Sequence, residues 1–246
     1  MNDELGFQAE WPAPPWVRTL CTTRKGGVST GDWSSLNLGD HCGDDPAHVA
    51  ENRRRVIAAI HAQPRWLRQV HGTDVAGDGV GELPEADASW TRQAATACVV
   101  LTADCLPLLF CHRQERLVAA AHAGWRGLAA GVIEATVKAL DTDPAGLLVW
   151  LGPTIGPGAF EVGPEVREAF LAADLQAGKA FRPGKAGKWW ADLYALARQR
   201  LARLGVQAVY GGGLCTAGDP ERFFSHRRDH GRTGRMGNFI WMAPEP

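Results

Sequence analysis

The chain has 246 residues, of which 45% are hydrophobic, and its formal net charge at pH 7 is −1. This length allows a substantial core in one large or two small domains. The near-neutral charge and the dispersed arginines give no general attraction to nucleic acid or to an anionic membrane. Residues 1–10 are acidic and lack the pattern of a signal peptide, and no apolar run is long enough to span a bilayer. We therefore expect a cytoplasmic protein.

The six cysteines show no Cys-x-x-Cys pair and no regular spacing. In a cytoplasmic chain of this size, that pattern favours buried thiols over disulfides. Cys98 and Cys111 lie inside apolar runs and are predicted core residues. Cys105 differs because it follows the turn-like residues 102–104, so it is a candidate for chemistry.

The N-terminal region predicts a half-buried strand over 17–23, which runs into the basic, glycine-rich loop 24–29. Glycines let backbone N–H groups converge, and Arg24 offers a bidentate fork for an oxyanion. From composition alone, an ordinary hairpin turn is the simpler interpretation. Asn37 follows in a polar segment that could face a pocket. Asp45-Pro46 then predicts the N-cap and first turn of a helix that ends near residue 61.

Three apolar, strand-like runs lead to a histidine or a cysteine. They are residues 66–70 before His71, residues 98–101 before Cys105, and residues 117–121 before His122. Imidazole nitrogens and thiolates are good zinc ligands, and three protein ligands with an open fourth position are typical of a catalytic zinc site. The common placement at strand ends predicts that the three side chains share a site.

A hairpin would bring two of these side chains together. The runs Leu106–Cys111 and Arg116–Ala121 flank a polar turn, so they are predicted to pair as antiparallel strands. The outer ends of such strands lie side by side, which places Cys105 near His122. Pro107 indicates an edge strand or the start of a strand.

The remaining chain mixes strands with helices. The segment 124–127 is predicted to begin a helix that continues to residue 140, with its N-terminal backbone donors beside His122. Further helices are predicted over 164–173 and 190–204, and further strands over 147–151, 206–210 and 238–242. Because there is no repeat and no linker, we expect one α+β domain over residues 1–246.

Other chemistries remain open. Cys105 could act as a nucleophile with His122 as its base, but His71 would then have no role. The zinc deaminase signature is absent. The eight histidines contain no His-x-His pair, which speaks against multicopper chemistry.

Seven motifs in this order resemble the YfiH family, which is also called the polyphenol oxidoreductase or laccase-domain family and the peptidoglycan editing factors. The motifs span nearly the whole chain and are Thr23–Ser29, Asn37–Gly39, Gln69–Gly72, Thr102–Pro107, His122–Gly127, Gly152–Pro157 and Phe223–Asp229. As an ordered set they are far more specific than any one of them alone.

The resemblance implies a mixed β-sheet core flanked by helices, and a metal site at His71, Cys105 and His122 that usually holds zinc. It also implies purine nucleoside phosphorylase, methylthioadenosine phosphorylase and adenosine deaminase activities. The alternatives are an amidase-type hydrolase that edits peptidoglycan precursors and a copper-dependent polyphenol oxidase. Two departures are Gly158-Ala159, where many relatives carry cysteine, and His226, where many carry tyrosine.

We therefore predict a monomeric zinc enzyme that acts on purine nucleosides and phosphate. Cys105 is expected to be a metal ligand, and Asp104 a base or a partner of the ligands. Arg24 and Asn37 are expected to act in catalysis and to hold phosphate, and Arg126 and Arg235 to contact substrate. A third possible function is that of a non-enzymatic binding protein. Such a protein would have no need of the His71, Cys105 and His122 metal site.

Overall fold

The computed structural model describes residues 4–185 and 187–244. The strands are β1 Gly6–Phe7, β2 Val17–Thr22, β3 Gln63–Arg65, β4 Val75–Ala76, β5 Ala88–Thr91, β6 Thr96–Thr102, β7 Leu106–His112, β8 Val118–Ala123, β9 Leu147–Leu151, β10 Glu161–Val162, β11 Phe181–Pro183, β12 Trp189–Ala191, β13 Ala208–Gly211 and β14 Met236–Met242. The α-helices are α1 Pro46–Ile60, α2 Trp125–Ala130, α3 Val132–Leu140, α4 Pro164–Ala173 and α5 Leu193–Arg203.

The strands form two large sheets and one small one. The first large sheet has the order β1-β2-β14-β6-β3, and the second has the order β13-β9-β7-β8-β5-β4. Parallel pairs occur at β3 with β6, β4 with β5, and β13 with β9, while the other pairs are antiparallel. The predicted α+β fold with a mixed sheet core and flanking helices is confirmed, with the core divided between two sheets.

The two large sheets pack face to face. Val100 and Ile240 of the first sheet share one buried cluster with Leu109, Ala120 and Leu148 of the second. Side chains alternate between the faces of a strand, so each sheet has a second apolar face that must also be covered. The sequence meets this demand with continuous apolar runs, which are typical of strands buried on both sides.

Helices cover the outer faces of both sheets. Val56 of α1 packs on the outer face of the first sheet, against Val99. Ile133 of α3 and Leu196 of α5 pack on the outer face of the second sheet, in the cluster that contains Phe110. The molecule is therefore layered as helix, sheet, sheet and helices.

The predicted hairpin is present, because β7 and β8 are antiparallel neighbours with Pro107 opposite His122. Pro107 is the second residue of β7, as expected of a strand start. The edge position is wrong, because β7 lies between β8 and β9. The carbonyl oxygen of Pro107 accepts from Gly152 N at 2.9 Å, just beyond the end of β9. Proline has no N–H to return to the carbonyl oxygen of Gly152, and that oxygen accepts from Tyr194 Oη at 2.9 Å instead.

Helix boundaries follow the sequence with two exceptions. The carboxylate of Asp45 accepts from Ala47 N at 2.8 Å and caps α1, a contact that contributes about 1 kcal/mol. The single helix expected after residue 124 is instead two helices, because Gly131 has a φ of 107°. The helix expected from residue 190 begins at Leu193, since Trp189–Ala191 pair with β10 and β11. Within the described residues, no helix is both long and apolar enough to cross a bilayer.

Candidate metal centre

His71, Cys105 and His122 converge at one end of the β7–β8 hairpin. Their ligand atoms all lie within 4.8 Å of one another. The Cys105 Sγ is 3.8 Å from His71 Nε2, and the two imidazole rings meet edge to face with centroids 4.8 Å apart. Two imidazoles and a thiol at this spacing suit a metal ion, and the set leaves a fourth position open for substrate or water.

The three candidate ligands occupy different kinds of backbone. Cys105 directly precedes β7, and His122 is the penultimate residue of β8. The expectation that His71 ends a strand is wrong, because β3 ends at Arg65 and His71 lies on the loop beyond it with a φ of 60°. That left-handed conformation is unfavourable for a residue with a Cβ, so other contacts must hold the loop in place.

Gly124 is the residue that allows the close approach of the ligands. A Cβ at this position would lie 2.7 Å from His71 Cδ2 and 3.0 Å from Cys105 Sγ. Only glycine therefore lets the chain leave β8 and enter α2 this close to both side chains. This close approach explains why the His-Ala-Gly-Trp-Arg-Gly motif has glycine at position 124. The short distances between the chain and the two side chains support a compact metal site.

Asp87 holds the loop of His71 and the ring of His122 at the same time. Its buried carboxylate accepts from Val70 N at 3.1 Å, His71 N at 3.0 Å and Gly72 N at 2.6 Å. The same carboxylate lies 2.7 Å from His122 Nδ1. Because an ionised carboxylate only accepts, Nδ1 of His122 must carry a proton in this contact, which leaves Nε2 for a metal.

The pKa values of Cys105, His122 and Asp87 depend on one another. With no metal bound, burial opposes the thiolate of Cys105, but His122 and His71 outweigh it and lower the pKa of Cys105 to about 6. Burial likewise opposes the imidazolium of His122, but Cys105 and Asp87 raise the pKa of His122 to about 9. The pKa of Asp87 is held below its ordinary value despite burial, mainly by the hydrogen bond from His122. At neutral pH the metal-free cluster thus pairs a Cys105 thiolate, the form that binds metal, with a protonated His122, whose Nε2 proton metal binding would displace.

After metal removal, Cys105 is expected to be the most reactive cysteine toward iodoacetamide. Its thiolate fraction should rise with pH through about 6 and be near its maximum at pH 7. Burial raises the pKa of both Cys98 and Cys111 to about 12, so these thiols serve as internal references. Mass spectrometry of digests across a pH series would measure the rates. Added zinc should protect Cys105, and equal alkylation with and without zinc would contradict its role as a ligand.

Asp104 ties the Cys105 segment to two distant loops. Its carboxylate accepts from Thr216 Oγ1 at 2.5 Å, Ser225 Oγ at 3.0 Å and Arg227 N at 2.7 Å. Its φ is 87°, and the side chain is buried with the residue 8% exposed. These contacts support the interpretation of Asp104 as a partner that fixes the position of Cys105. The three donors leave one acceptor position on Oδ1, the only place where the carboxylate could take a proton as a base without losing a contact.

A cavity of about 460 Å³ opens over the three candidate ligands, a size typical of small-molecule sites. Its wall combines apolar and aromatic side chains with cations. Besides the three candidate ligands and Asp104, it is lined by His41, Gln69, Leu101, Thr102, Ala103, Trp125, Arg126, Ile155, Phe160, Leu193, His226, Arg227 and Arg235. The lining includes three arginines and a single acidic residue, so the cavity favours an anionic ligand.

The cavity arginines are held by neutral partners. The guanidinium of Arg126 lies 4.4 Å from the ring centroid of Trp125. Arg227 donates to the carbonyl oxygen of Glu161 at 2.8 Å, and Arg235 donates to the carbonyl oxygen of Thr233 at 2.9 Å. Within the described chain, no carboxylate forms an ion pair with any of the three, so their charge remains available to a ligand.

Both residues predicted to hold phosphate, Arg24 and Asn37, lie outside the cavity lining. Arg24 donates to the carbonyl oxygens of Ser34 at 2.9 Å and Pro220 at 3.2 Å, so it joins two loops. Asn37 is fully buried, and its Oδ1 accepts from Arg235 N at 2.9 Å. Asn37 thus supports the backbone of a residue that does line the cavity.

Sequence reasoning missed Asp87 and Arg227. Asp87 lies near the end of residues 74–88, which are rich in glycine and acidic residues, and no local pattern distinguishes it from its acidic neighbours. Arg227 lies inside the Phe223–Asp229 motif, where only His226 was considered. Of the two departures from the family pattern, His226 lines the cavity, whereas a Cβ at Gly158 would meet open space.

Comparison with known proteins agrees with the fold and the motifs. A family model described as "Multi-copper polyphenol oxidoreductase laccase" matches residues 18–243. The chain is 55% identical over 234 residues to Purine nucleoside phosphorylase PA4543 of Pseudomonas aeruginosa, covering 95% of this chain and 96% of that protein. It is 54% identical over 238 residues to Purine nucleoside phosphorylase YfiH of Escherichia coli K12, covering 95% of this chain and 97% of that protein.

Two solved structures share the whole fold. The crystal structure of Neisseria meningitidis protein NMB0706 superposes with a TM-score of 0.94 at 49% identity, covering 97% of this chain and 99% of that one. YlmD from Geobacillus stearothermophilus gives a TM-score of 0.89 at 32% identity, covering 98% of this chain and 100% of that one. The match over nearly the full length, in sequence and in structure, shows that the chain belongs to the YfiH family of laccase-domain proteins.

Proposed function

We propose that the protein is a zinc-dependent purine nucleoside phosphorylase that also acts on methylthioadenosine and deaminates adenosine. The observation that carries the proposal is the cluster of His71, Cys105 and His122 at the base of a cavity lined by three arginines. The names of the relatives from Pseudomonas and Escherichia support the phosphorylase reaction.

The donor set supports zinc over copper. Blue copper sites add a weak axial ligand to two histidines and one cysteine, usually a methionine sulfur and in some sites a glutamine oxygen. No methionine lines this cavity, and the amide oxygen of Gln69, which does line it, already accepts from Leu101 N at 2.7 Å. In the described part of the chain, the triad is the one group of three or more His, Cys, Asp or Glu residues suited to a metal ion, whereas a multicopper oxidase needs several copper ions. A bound zinc would supply Lewis-acid character and water activation.

The cavity offers the binding groups that phosphorolysis requires. In this reaction a phosphate oxygen bonds to C1′ of the ribose as the bond from C1′ to the purine nitrogen breaks, giving ribose 1-phosphate and the free base. Guanidinium groups bind phosphate through bidentate hydrogen bonds and stabilise its negative charge in the transition state. Arg235 is the cavity arginine whose backbone is fixed by Asn37, and we assign it to phosphate.

The apolar wall suits the nucleoside. Phe160 and Trp125 offer aromatic surface to a purine, and Ile155 and Leu193 offer aliphatic surface to a methylthio group. Deamination requires water in place of phosphate and releases ammonia from C6, so it should depend on the metal and not on the phosphate-binding arginine.

The proposal includes a monomeric enzyme of the cytoplasm that binds small molecules and no nucleic acid.

A second candidate is an amidase-type hydrolase that edits peptidoglycan precursors. The cationic lining supports it, because such precursors are acidic, and an activated water suits amide hydrolysis. The copper oxidase alternative is supported by the description of the matching family model.

The test is purification without added metal, metal quantification and parallel assays. We expect about one zinc per chain, and phosphate-dependent release of base from inosine, adenosine and methylthioadenosine. Adenosine should also yield inosine without phosphate. Release of a single amino acid from precursor peptides, with no nucleoside turnover, would favour the amidase. Full copper occupancy with phenol oxidation would favour the oxidase.

A further inference from the structure

We propose that Asp87 is a positioning residue that fixes two of the three metal ligands at once. It sets the loop conformation of His71 and selects which nitrogen of His122 faces the metal. The inference rests on the zinc site of the proposed function, but it does not depend on which substrate the enzyme uses.

The backbone around His71 forms a binding site for the Asp87 carboxylate. Three successive N–H groups, those of residues 70, 71 and 72, point at one carboxylate. Consecutive N–H groups that converge beside a left-handed residue form a nest, which is an anion-binding concavity. Here the anion is internal, because Asp87 fills the nest. Its negative charge offsets the cost of holding His71, a residue with a Cβ, at a φ of 60°.

The same carboxylate also contacts His122. Oδ1 of Asp87 accepts from His71 N and faces His122 Nδ1, while Oδ2 accepts from Val70 N and Gly72 N. Each oxygen therefore has two donors, which uses about all the acceptor capacity of a carboxylate. The backbone N–H of His122 also donates to the carbonyl oxygen of Asp87 at 2.7 Å, which fixes the two residues relative to each other.

This saturation makes asparagine a specific probe. An amide at position 87 replaces one accepting oxygen with an NH₂ group. In one orientation the NH₂ faces the N–H groups of Val70 and Gly72, and the nest is lost. In the other it faces the N–H of His71 and donates to His122 Nδ1, so the His122 proton moves to Nε2. That proton occupies the nitrogen that must be bare to bind the metal. Both orientations oppose metal binding.

The test is zinc affinity of Asp87→Asn, measured by chelator competition, with cobalt absorption as a report on coordination. We expect zinc affinity to fall about 10–100-fold, the range for partners of metal-bound histidine, and the cobalt spectrum to change. Asp78→Asn is the matched control, because the Asp78 carboxylate is also held by several donors, but these are Thr91 Oγ1, Arg92 N and Arg65 Nη2, none of which belongs to a candidate ligand. It should lose stability without losing zinc affinity.

A measurement on the unaltered protein guards against misfolding of the variant. In the zinc-loaded protein, nitrogen-15 NMR of the imidazoles should show His122 bound through Nε2 with a slowly exchanging proton on Nδ1. Metal coordination through Nδ1 of His122 would overturn the proposal. So would a folded Asp87→Asn protein whose zinc affinity and cobalt spectrum match those of the unaltered chain.

Discussion

Replacement of Cys105 by serine is expected to leave a folded protein that no longer retains zinc on purification. Cys105 is half-buried on the loop before β7 and belongs to none of the apolar clusters, so the smaller oxygen should be tolerated. Serine keeps its proton at neutral pH and is a poor zinc ligand. Loss of an outer partner alone weakens metal affinity about 10–100-fold, so loss of a ligand should exceed about 100-fold. Metal analysis and chelator competition measure this, and each metal-dependent activity should fall with zinc occupancy.

Cys42→Ser is the matched control for this substitution. Cys42 is also a half-buried, free cysteine and is next to His41 of the cavity wall, but it lies outside the ligand triad. It should keep one zinc per chain and normal activity. Stoichiometric zinc in Cys105→Ser would show that Cys105 is not a ligand. Activity that survives complete metal removal, or a substrate adduct trapped on Cys105, would instead establish Cys105 as a nucleophile.

The site could be predicted from the sequence where its geometry is local. The β7–β8 hairpin follows from two apolar runs around a polar turn, and antiparallel pairing then places Cys105 and His122 at the same end. Strand β9 and helix α4 have the predicted bounds because turn and cap signals delimit both.

The contacts that hold the site together are long-range and have no periodic signal. Asp87 reaches both His71 and His122, and Asp104 reaches Ser225, which is 121 residues away in sequence. Residues 66–70 resemble a strand in sequence, but they form a loop in which only Arg68 makes an isolated bridge. The predicted strand before His71 is therefore absent. The division of the core into two sheets depends on β14 inserting between β2 and β6, which no local pattern reveals.

Arg235→Ala is expected to raise the KM for phosphate about 10–100-fold while leaving the KM for nucleoside and the rate of deamination within a few-fold. A hydrogen bond to a charged group contributes about 1.5–3 kcal/mol, and each 1.4 kcal/mol is a tenfold change. The Nη1 of Arg235 donates to the carbonyl oxygens of Thr233 and Gly234, which leaves Nε and Nη2 to meet an oxyanion. Initial rates of phosphorolysis over a series of phosphate concentrations give the KM for phosphate. The rate of adenosine deamination without phosphate is measured alongside, and the two together show whether only phosphate use is lost.

Arg24→Ala is the comparison that decides between the two arginines. The family motif assigned phosphate to Arg24, but its guanidinium joins the loops of Ser34 and Pro220 and lies 4.8 Å from the ring centroid of Phe224, outside the cavity lining. We therefore expect Arg24→Ala to lower stability and to affect phosphorolysis and deamination to a similar degree. A selective loss of phosphate use in Arg24→Ala, with Arg235→Ala unaffected, would return the phosphate to Arg24. It would also require the loop that carries Arg24 to move over the cavity when phosphate binds.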